Sequence, residues 1–418
     1  MSLLSSGESH RDTVAARPTA FVPFRAGALQ PARSVAALQA RSLRLLPQIA
    51  EGAAQRERER VLPYAWVRRI AEAGLYTLRV PTAQGGAGGT VRDVIRFITD
   101  LAAVDSNLAQ ALRPGFGFIE SLLHAGDAAD QARWFPHVLA GEIFGNAGME
   151  RGGPHGQTLT RLTRDGDHWR VSGTKYYSTG ALFSDWVSSF ALDELGKETA
   201  FTVPRDRAGV QLVDDFDAMG QRLTASGTSV FDHATVRSDE LRPAMPRDRR
   251  TPLPGFYQLF LAAVEAGIAK NALTDAIAFT QRHARPIKHS SATRSVDDPY
   301  VQHTVGEIAS QAYAADAVVM KAADAIDAAW QGGLTEPLLN TAAIEVAQAQ
   351  FFAVQAALRA SELVFDVGGA SATSHEHNLD RHWRNARTVA NHNPRDWKAA
   401  VVGAHLLTGA APPTTGLF

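Results

Sequence analysis

The chain contains no cysteine, which excludes disulfides, thiolate zinc sites, iron–sulfur clusters and a cysteine nucleophile. That absence fits a reducing cytoplasm. No uninterrupted apolar run is long enough to span a bilayer. The first residues, MSLLSSGESHRDTVAARPTA, lack the basic segment and apolar stretch of a signal peptide. An excess of either charge is missing too. Lys+Arg 42 stand against Asp+Glu 43, a net charge of -1, so neither a nucleic-acid nor a membrane-surface partner is expected. What remains is a cytoplasmic globular protein of 418 residues, 45% of them hydrophobic, enough for a large core shared among two or three domains.

Distinct textures follow one another along the chain. Residues 1–30 are polar and proline-containing, the composition of a loose arm. Residues 31–139 read as an α domain. Val35, Leu38, Leu45 and Ile49 keep one helix face apolar, with Pro47 expected to kink or end that helix. Trp66, Val67, Ile70 and Leu75 mark a second helix. TVRDVIRFITDLAAV is a third, after the glycine-rich break RVPTAQGGAGG (Arg79–Gly89). Asp105 can cap the helix that follows. Over 140–245 the pattern alternates, with turn signals at Asp165-Gly166-Asp167 and Ser172-Gly173, and this reads as a middle β domain. From 246 to 418 the helical period returns in three long segments, roughly Tyr257–Arg285, Tyr300–Trp330 and Pro337–Val367. Gly368-Gly369 supplies a helix stop, and Asn393-Pro394-Arg395-Asp396 reads as the capped start of a last helix. Four helices with short connections indicate an antiparallel bundle.

The α–β–α order with these joints resembles the acyl-CoA dehydrogenase superfamily from about Arg33 to Leu407. LAAVDSNLAQAL, GNAGMERGG, GDHWRVSGTKYYSTG and MGQRLTASGTSVFDHATV fall in that superfamily's order and spacing. The dense stretch LDRHWRNARTVANHNP resembles its flavin-dependent monooxygenase branch, which includes the dibenzothiophene monooxygenases and the sulfur-acquisition oxidoreductases. The resemblance implies an α-helical N-terminal domain, a central β-barrel-like domain and a C-terminal four-helix bundle, usually assembled as a homotetramer. It implies a two-component enzyme: reduced FMN from a separate NAD(P)H-dependent flavin reductase reacts with O2 through a C4a-hydroperoxyflavin. One oxygen atom then passes to a small apolar substrate such as an organosulfur compound. FAD is the less favoured flavin. Where dehydrogenases of the superfamily carry a glutamine that meets the dinucleotide, this chain has Phe365, in FDVGGAS, and phenylalanine cannot bond a pyrophosphate. The dehydrogenases' proton-abstracting glutamate has no matching segment; Glu376, in SHEHN, is the nearest acidic residue. The rival readings are an FAD-dependent acyl-CoA dehydrogenase with Glu376 as a displaced base, an amine or amino-sugar N-oxygenase, and a silent flavin-binding scaffold.

By the same resemblance His392 matches the branch's catalytic histidine. Asn393 and Pro394 hold it in extended backbone at a helix start, whose positive end favours a neutral imidazole. The plain alternative is a histidine that only bonds a loop carbonyl. Ser178 and Thr179 complete the catalytic set, falling where a hydroxyl approaches the flavin's reactive edge. Asn146, Gly148 and Met149 fall where relatives touch the flavin ring. Ser226, Gly368, Gly369 and Asn385 join the cofactor set, with turn chemistry the commoner role for Ser226. Arg285, expected to end the first long bundle helix, matches an arginine set against the flavin phosphate of a neighbouring subunit, or else answers the helix dipole. Lys288 and His289 depart from the dehydrogenase pattern there. Phe116, Phe118 and Met219 are the expected substrate pocket, with Gly115 keeping its wall small; core packing is the ordinary role of such phenylalanines. Arg381, Arg384 and Arg387 divide between the site and a subunit or helix seam. No metal is expected, because His375 and His377 lack a carboxylate or cysteine frame.

Overall fold

A computed structural model describes residues 23–24, 32–151, 157–244 and 249–418. Apart from residues 23–24, the arm expected over 1–30 lies outside the described residues. Helices come first: α1 (Val35–Ala50), α2 (Ala53–Glu59), α3 (Tyr64–Glu72), α4 (Val91–Ala102), α5 (Ser106–Ala111), α6 (Arg113–Ala125) and α7 (Ala128–Ala140). The expected break at Pro47 does not occur; α1 continues through it to Ala50. The carbonyl left without a donor belongs to Leu43, an exposed residue, so water can satisfy it. α4 starts on a capping box, Thr90 with Asp93. It is capped again from a distance by Asp327, whose carboxylate accepts from Val91 N at 2.7 Å and Arg92 N at 2.9 Å. Asp105 caps α5 by accepting from Leu108 N at 3.0 Å, as its place in the sequence suggests.

The strands are β1 (Phe144–Ala147), β2 (Arg161–Asp165), β3 (His168–Lys175), β4 (Trp186–Leu192), β5 (Glu198–Pro204), β6 (Val210–Val213), β7 (Thr228–Arg237) and β8 (Leu241–Pro243). They form one mixed sheet in the order β6-β7-β3-β2-β4-β5-β8, with β1 pairing β4 in parallel. The turn at Gly166-Asp167 joins β2 to β3, and Gly166 has φ +61°, the first-position glycine of a tight hairpin. Ser172-Gly173, expected as a second turn, lies inside β3, where the register against β7 shifts. A Cβ on Gly173 would collide with Thr160, so this glycine serves a bulge and a close approach.

The last part holds α8 (Pro252–Arg282), α9 (Pro299–Gln331), α10 (Glu336–Leu363), α11 (Arg381–Ala390) and α12 (Arg395–Thr408). α8 begins before Tyr257 and stops before Arg285. α10 ends before Gly368-Gly369, and α11 is a helix in its own right. Asn393 does not cap α12: Pro394 takes the cap position, and the Asn393 side-chain amide nitrogen donates to Gln258 Oε1. Alanine lets the long helices approach closely, with Ala262, Ala263, Ala266 and Ala269 of α8 fully buried. A Cβ on Gly267 would collide with Ala102 of α4. Phe116, Phe256 and Phe260 fill the space between α6 and α8, each contributing roughly 1.5–3 kcal/mol of burial. Among the described residues no helix is long and apolar enough to cross a membrane.

Candidate active site

The segment that leaves β3 is stitched to the residues after β1 and to the loop that precedes β7. Tyr176 N donates to Met149 O at 2.8 Å, Ser178 N to Gly227 O at 3.0 Å, and Gly180 N to Thr224 O at 3.0 Å. Their hydroxyls form a chain. Thr179 Oγ1 lies 2.9 Å from Ser226 Oγ, which lies 2.7 Å from Thr224 Oγ1, which donates to Gln221 O at 2.9 Å. Two helices fix this loop from behind. Gln221 N donates to Asn385 Oδ1 of α11 at 2.6 Å, and Leu223 N donates to Asn107 Oδ1 of α5 at 3.1 Å. Gly220 is needed because a Cβ there would collide with the Arg384 carbonyl. Ser226 Oγ and Asn385 Oδ1, of two residues expected in the cofactor set, therefore help to hold the loop. Among the described residues Ser178 Oγ and Asn146 Oδ1 are buried with no partner.

His392 stands on the same side, after α11. Its Nδ1 is 3.1 Å from Val389 O and its Nε2 is 3.4 Å from Gln110 Nε2 of α5. The carbonyl partner assigns the proton to Nδ1, which leaves Nε2 as an acceptor. The residue keeps much of its surface open to solvent, although protein groups crowd around the ring. Burial first, and then the charge of Arg113, push its pKa down to about 4. The imidazole is neutral at pH 7, but the leading cause is burial rather than the expected helix start. Gln110 Oε1 and Arg113 Nε are buried without partners beside it.

The expected pocket phenylalanines lie elsewhere. Phe116 is packed among Tyr76, Phe97 and Phe260, and Phe118 is stacked on Phe144 at 4.2 Å. Both belong to the core, not to an open wall. Gly115 and Gly117 are small because a Cβ would strike the rings of Tyr76 and Tyr257. Gly148, Met149 and Met219 are exposed, and the Met219 carbonyl accepts from Arg384 Nη1 at 3.0 Å. Arg285 is exposed beyond the end of α8. Gly368 lies against the Phe279 ring, while a Cβ on Gly369 would meet nothing. At 1.5 Å per residue Phe279 is roughly 30 Å along α8 from Gln258, the residue that holds Asn393. Arg285, Gly368 and Gly369 therefore do not stand beside His392 within one chain.

The arginine patch divides by partner. Arg381 Nη2 donates to Asp275 at 2.5 Å, and His382 Nε2 lies 2.8 Å from the same carboxylate. Arg384 makes a two-pronged pair with Glu57 of α2 at 2.6 and 3.1 Å, and Nε donates to Asp380 at 2.7 Å. These charges bind α11 to α8 and α2. Glu376 is exposed, its carbonyl accepting from Arg58 at 2.9 Å, so it is not poised over His392. His377 packs against Phe279 and His283. Sequence reasoning missed Asn107, Gln110 and Arg113. Their signal was present, since Asn107 and Gln110 are three apart and share one face of α5.

Comparison with known proteins places this arrangement. Residues 45–142 match the acyl-CoA dehydrogenase N-terminal domain and residues 259–397 the acyl-CoA dehydrogenase C-terminal domain. The dibenzothiophene monooxygenase of Mycolicibacterium goodii is 30% identical over 364 residues, 82% of this chain and 87% of that protein. The chain belongs to the acyl-CoA dehydrogenase superfamily, in its flavin-dependent monooxygenase branch. A Pseudomonas putida protein named "Probable FMNH2-dependent monooxygenase SfnC" is 31% identical over 382 residues, covering 88% of this chain and 94% of its own. The crystal structure of FMN-bound TdsC from Paenibacillus sp. A11-2 superposes with a TM-score of 0.83 at 27% identity, covering 90% of this chain and all of that one.

Proposed function

We propose that the protein is a two-component monooxygenase of the cytoplasm. It takes reduced FMN from a separate NAD(P)H-dependent flavin reductase and, with O2, transfers one oxygen atom to a small organosulfur compound. The flavin, the reaction class and the substrate class follow the names of the relatives. The observation that carries the reading is His392, a neutral imidazole whose Nε2 is left as an acceptor beside the Gln110 amide. No carboxylate is bonded to it among the described residues, so nothing beside it would abstract a proton from an acyl thioester.

The residues present fit a flavin. Among the described residues Asn146 Oδ1, Ser178 Oγ and Gln110 Oε1 are buried and unpartnered, and each such group costs roughly 1–3 kcal/mol until something bonds it. A Cβ on Gly148 would meet nothing, which leaves space beside them. Bound reduced FMN supplies the two electrons that divide O2 between substrate and water. The protein's own groups do the rest. The Ser178 and Thr179 hydroxyls meet the reacting edge, with Thr179 aimed by the Ser226–Thr224 chain. His392 Nε2 accepts a hydrogen bond without retaining the proton. Arg285, Gly368 and Gly369 serve a cofactor held by a neighbouring copy, which makes a homotetramer part of the reading.

The test supplies purified protein with FMN, a flavin reductase, NADH and 18O2, together with a panel of organosulfur compounds. The expected result is a product carrying one 18O atom. Reduction of an electron acceptor by an acyl-CoA without oxygen would overturn the assignment.

A further inference from the structure

The start of α12 gives up a bond that its sequence offers. Asn393-Pro394-Arg395-Asp396 is a capping sequence, yet no side chain caps this helix. By contrast α1, α5, α7 and α9 each begin on a side chain that accepts from the first turn. A residue that breaks a favourable local rule is a candidate for work elsewhere.

Asn393 is spent on a contact across the molecule. Its side-chain nitrogen donates to Gln258 Oε1, near the start of α8. Gln258 is pinned at its other end, where Nε2 donates to Gly416 O at 3.1 Å. Both residues are buried, with 5% and 4% of their surface exposed. Asn391, His392 and Pro394 are exposed. Among residues 391–394, the one sunk into the protein is therefore the one beside the imidazole.

The His392 ring has few anchors of its own. Its Nδ1 contact is to Val389 O, three residues back, and travels with the loop. The contact to another element is with Gln110 of α5, at 3.4 Å, which is long for a hydrogen bond. The charge that acts on the ring is that of Arg113 on α6; Gln110 and the Val389 carbonyl bring none. Where the loop sits relative to α5 and α6 thus decides whether the ring keeps these neighbours. A buried amide-to-amide hydrogen bond can fix that place, because lifting the loop would leave both groups without each other inside the protein.

We propose that Gln258 is a positioning residue for His392, acting through the Asn393 side chain to hold the 391–394 loop against α5 and α6. The proposal deepens the oxygenase reading above, from which it takes the role of His392. It also gives Asn393 the work for which α12 forgoes its cap.

The test uses flavin-free full-length protein and diethyl pyrocarbonate, which acylates neutral imidazoles. Labelling of His392 is read by peptide mass spectrometry at pH 6 and pH 8, on wild type, Gln258→Leu and Asn393→Ala. N-acetylhistidine in the same solution is the standard. An ordinary imidazole is about one-quarter neutral at pH 6, so its labelling falls about fourfold from pH 8 to pH 6. In wild type, His392 should be labelled equally at both, because the ring is neutral throughout. In each variant the ring should lose its neighbours, gain water and follow the standard down by about fourfold. Equal labelling at the two pH values in either variant overturns the proposal, as does a fourfold fall in wild type. His382, buried against Asp275, stays unlabelled wherever the fold is intact. Should Gln258→Leu not fold, as labelled His382 would show, Asn393→Ala decides alone. Labelling involves no turnover, so failure here leaves the 18O2 test standing, and failure there leaves this one standing.

Discussion

At the scale of single residues, His392 sets the acid side of the activity. An ordinary histidine near pH 6.5 would give a protonation limb in that region. Here the folded value is about 4, so the acceptor nitrogen stays unprotonated well below neutrality. The oxygenation rate should therefore run flat from pH 8 to about 5 and fall only as pH approaches 4. A limb centred near 6.5 in a kcat profile would overturn that lowered value. His392→Ala should lower kcat by about 100-fold or more while FMN affinity changes little. A neutral imidazole could be argued from NHNP alone, but its cause could not. Burial and the Arg113 charge come from α5 and α6, far away in sequence.

At the scale of elements, α11 is held by charges that looked like a solvated face. Burial raises the pKa of Glu57, but hydrogen bonds from Arg384 and Asn378 outweigh it and hold the carboxyl below its usual range. Glu57 is 2% exposed, so removing its partner strands a buried charge. Arg384→Ala should cost about 3–5 kcal/mol, read as a lowered urea midpoint. The exposed Arg294–Asp297 pair is the control, and Arg294→Ala should leave that midpoint where it is. If both variants behave alike, the Glu57 pair is not the tie described. Because Arg384 also bonds the Met219 carbonyl, the weakened variant should loosen the loop that carries Ser226. The alternation of arginine with aromatic and amide residues made this helix legible as important. Its partners, Asp275 and Glu57, lie more than a hundred residues away, beyond the reach of local pattern.

At the scale of the whole molecule, one buried acid lies in the packed core. Glu265, in the middle of α8, is fully enclosed, and both its carboxyl oxygens lack partners. Burial raises its pKa well above the ordinary value, so the folded protein keeps the proton that the unfolded chain releases above about pH 4.5. More protons bound in the folded state means that stability falls as pH rises through that window. The loss should set in as pH rises above about 4.5, where the unfolded chain gives up its proton. Glu265→Gln should flatten that part of the thermal-midpoint profile. An unchanged slope in the variant would place the loss elsewhere. The same helix separates two ends of the molecule, with His392 near its start and Arg285 and Gly368 near its finish, which is why the cofactor set proposed here needs more than one copy of the chain.

The sequence by itself determined the order of helices, strands and helices, the capped start of α5, the Gly166 hairpin and the family, because periodicity, caps and turn residues act over a few positions. It did not determine where Pro47, Ser172-Gly173 or Asn393 would yield to packing, nor that Phe116 and Phe118 would fill the core. It also left Gln258 unremarked. Only the tertiary structure decided those points, since the contact of Gln258 with Asn393 spans 135 residues, and whether it forms depends on every element folded around it.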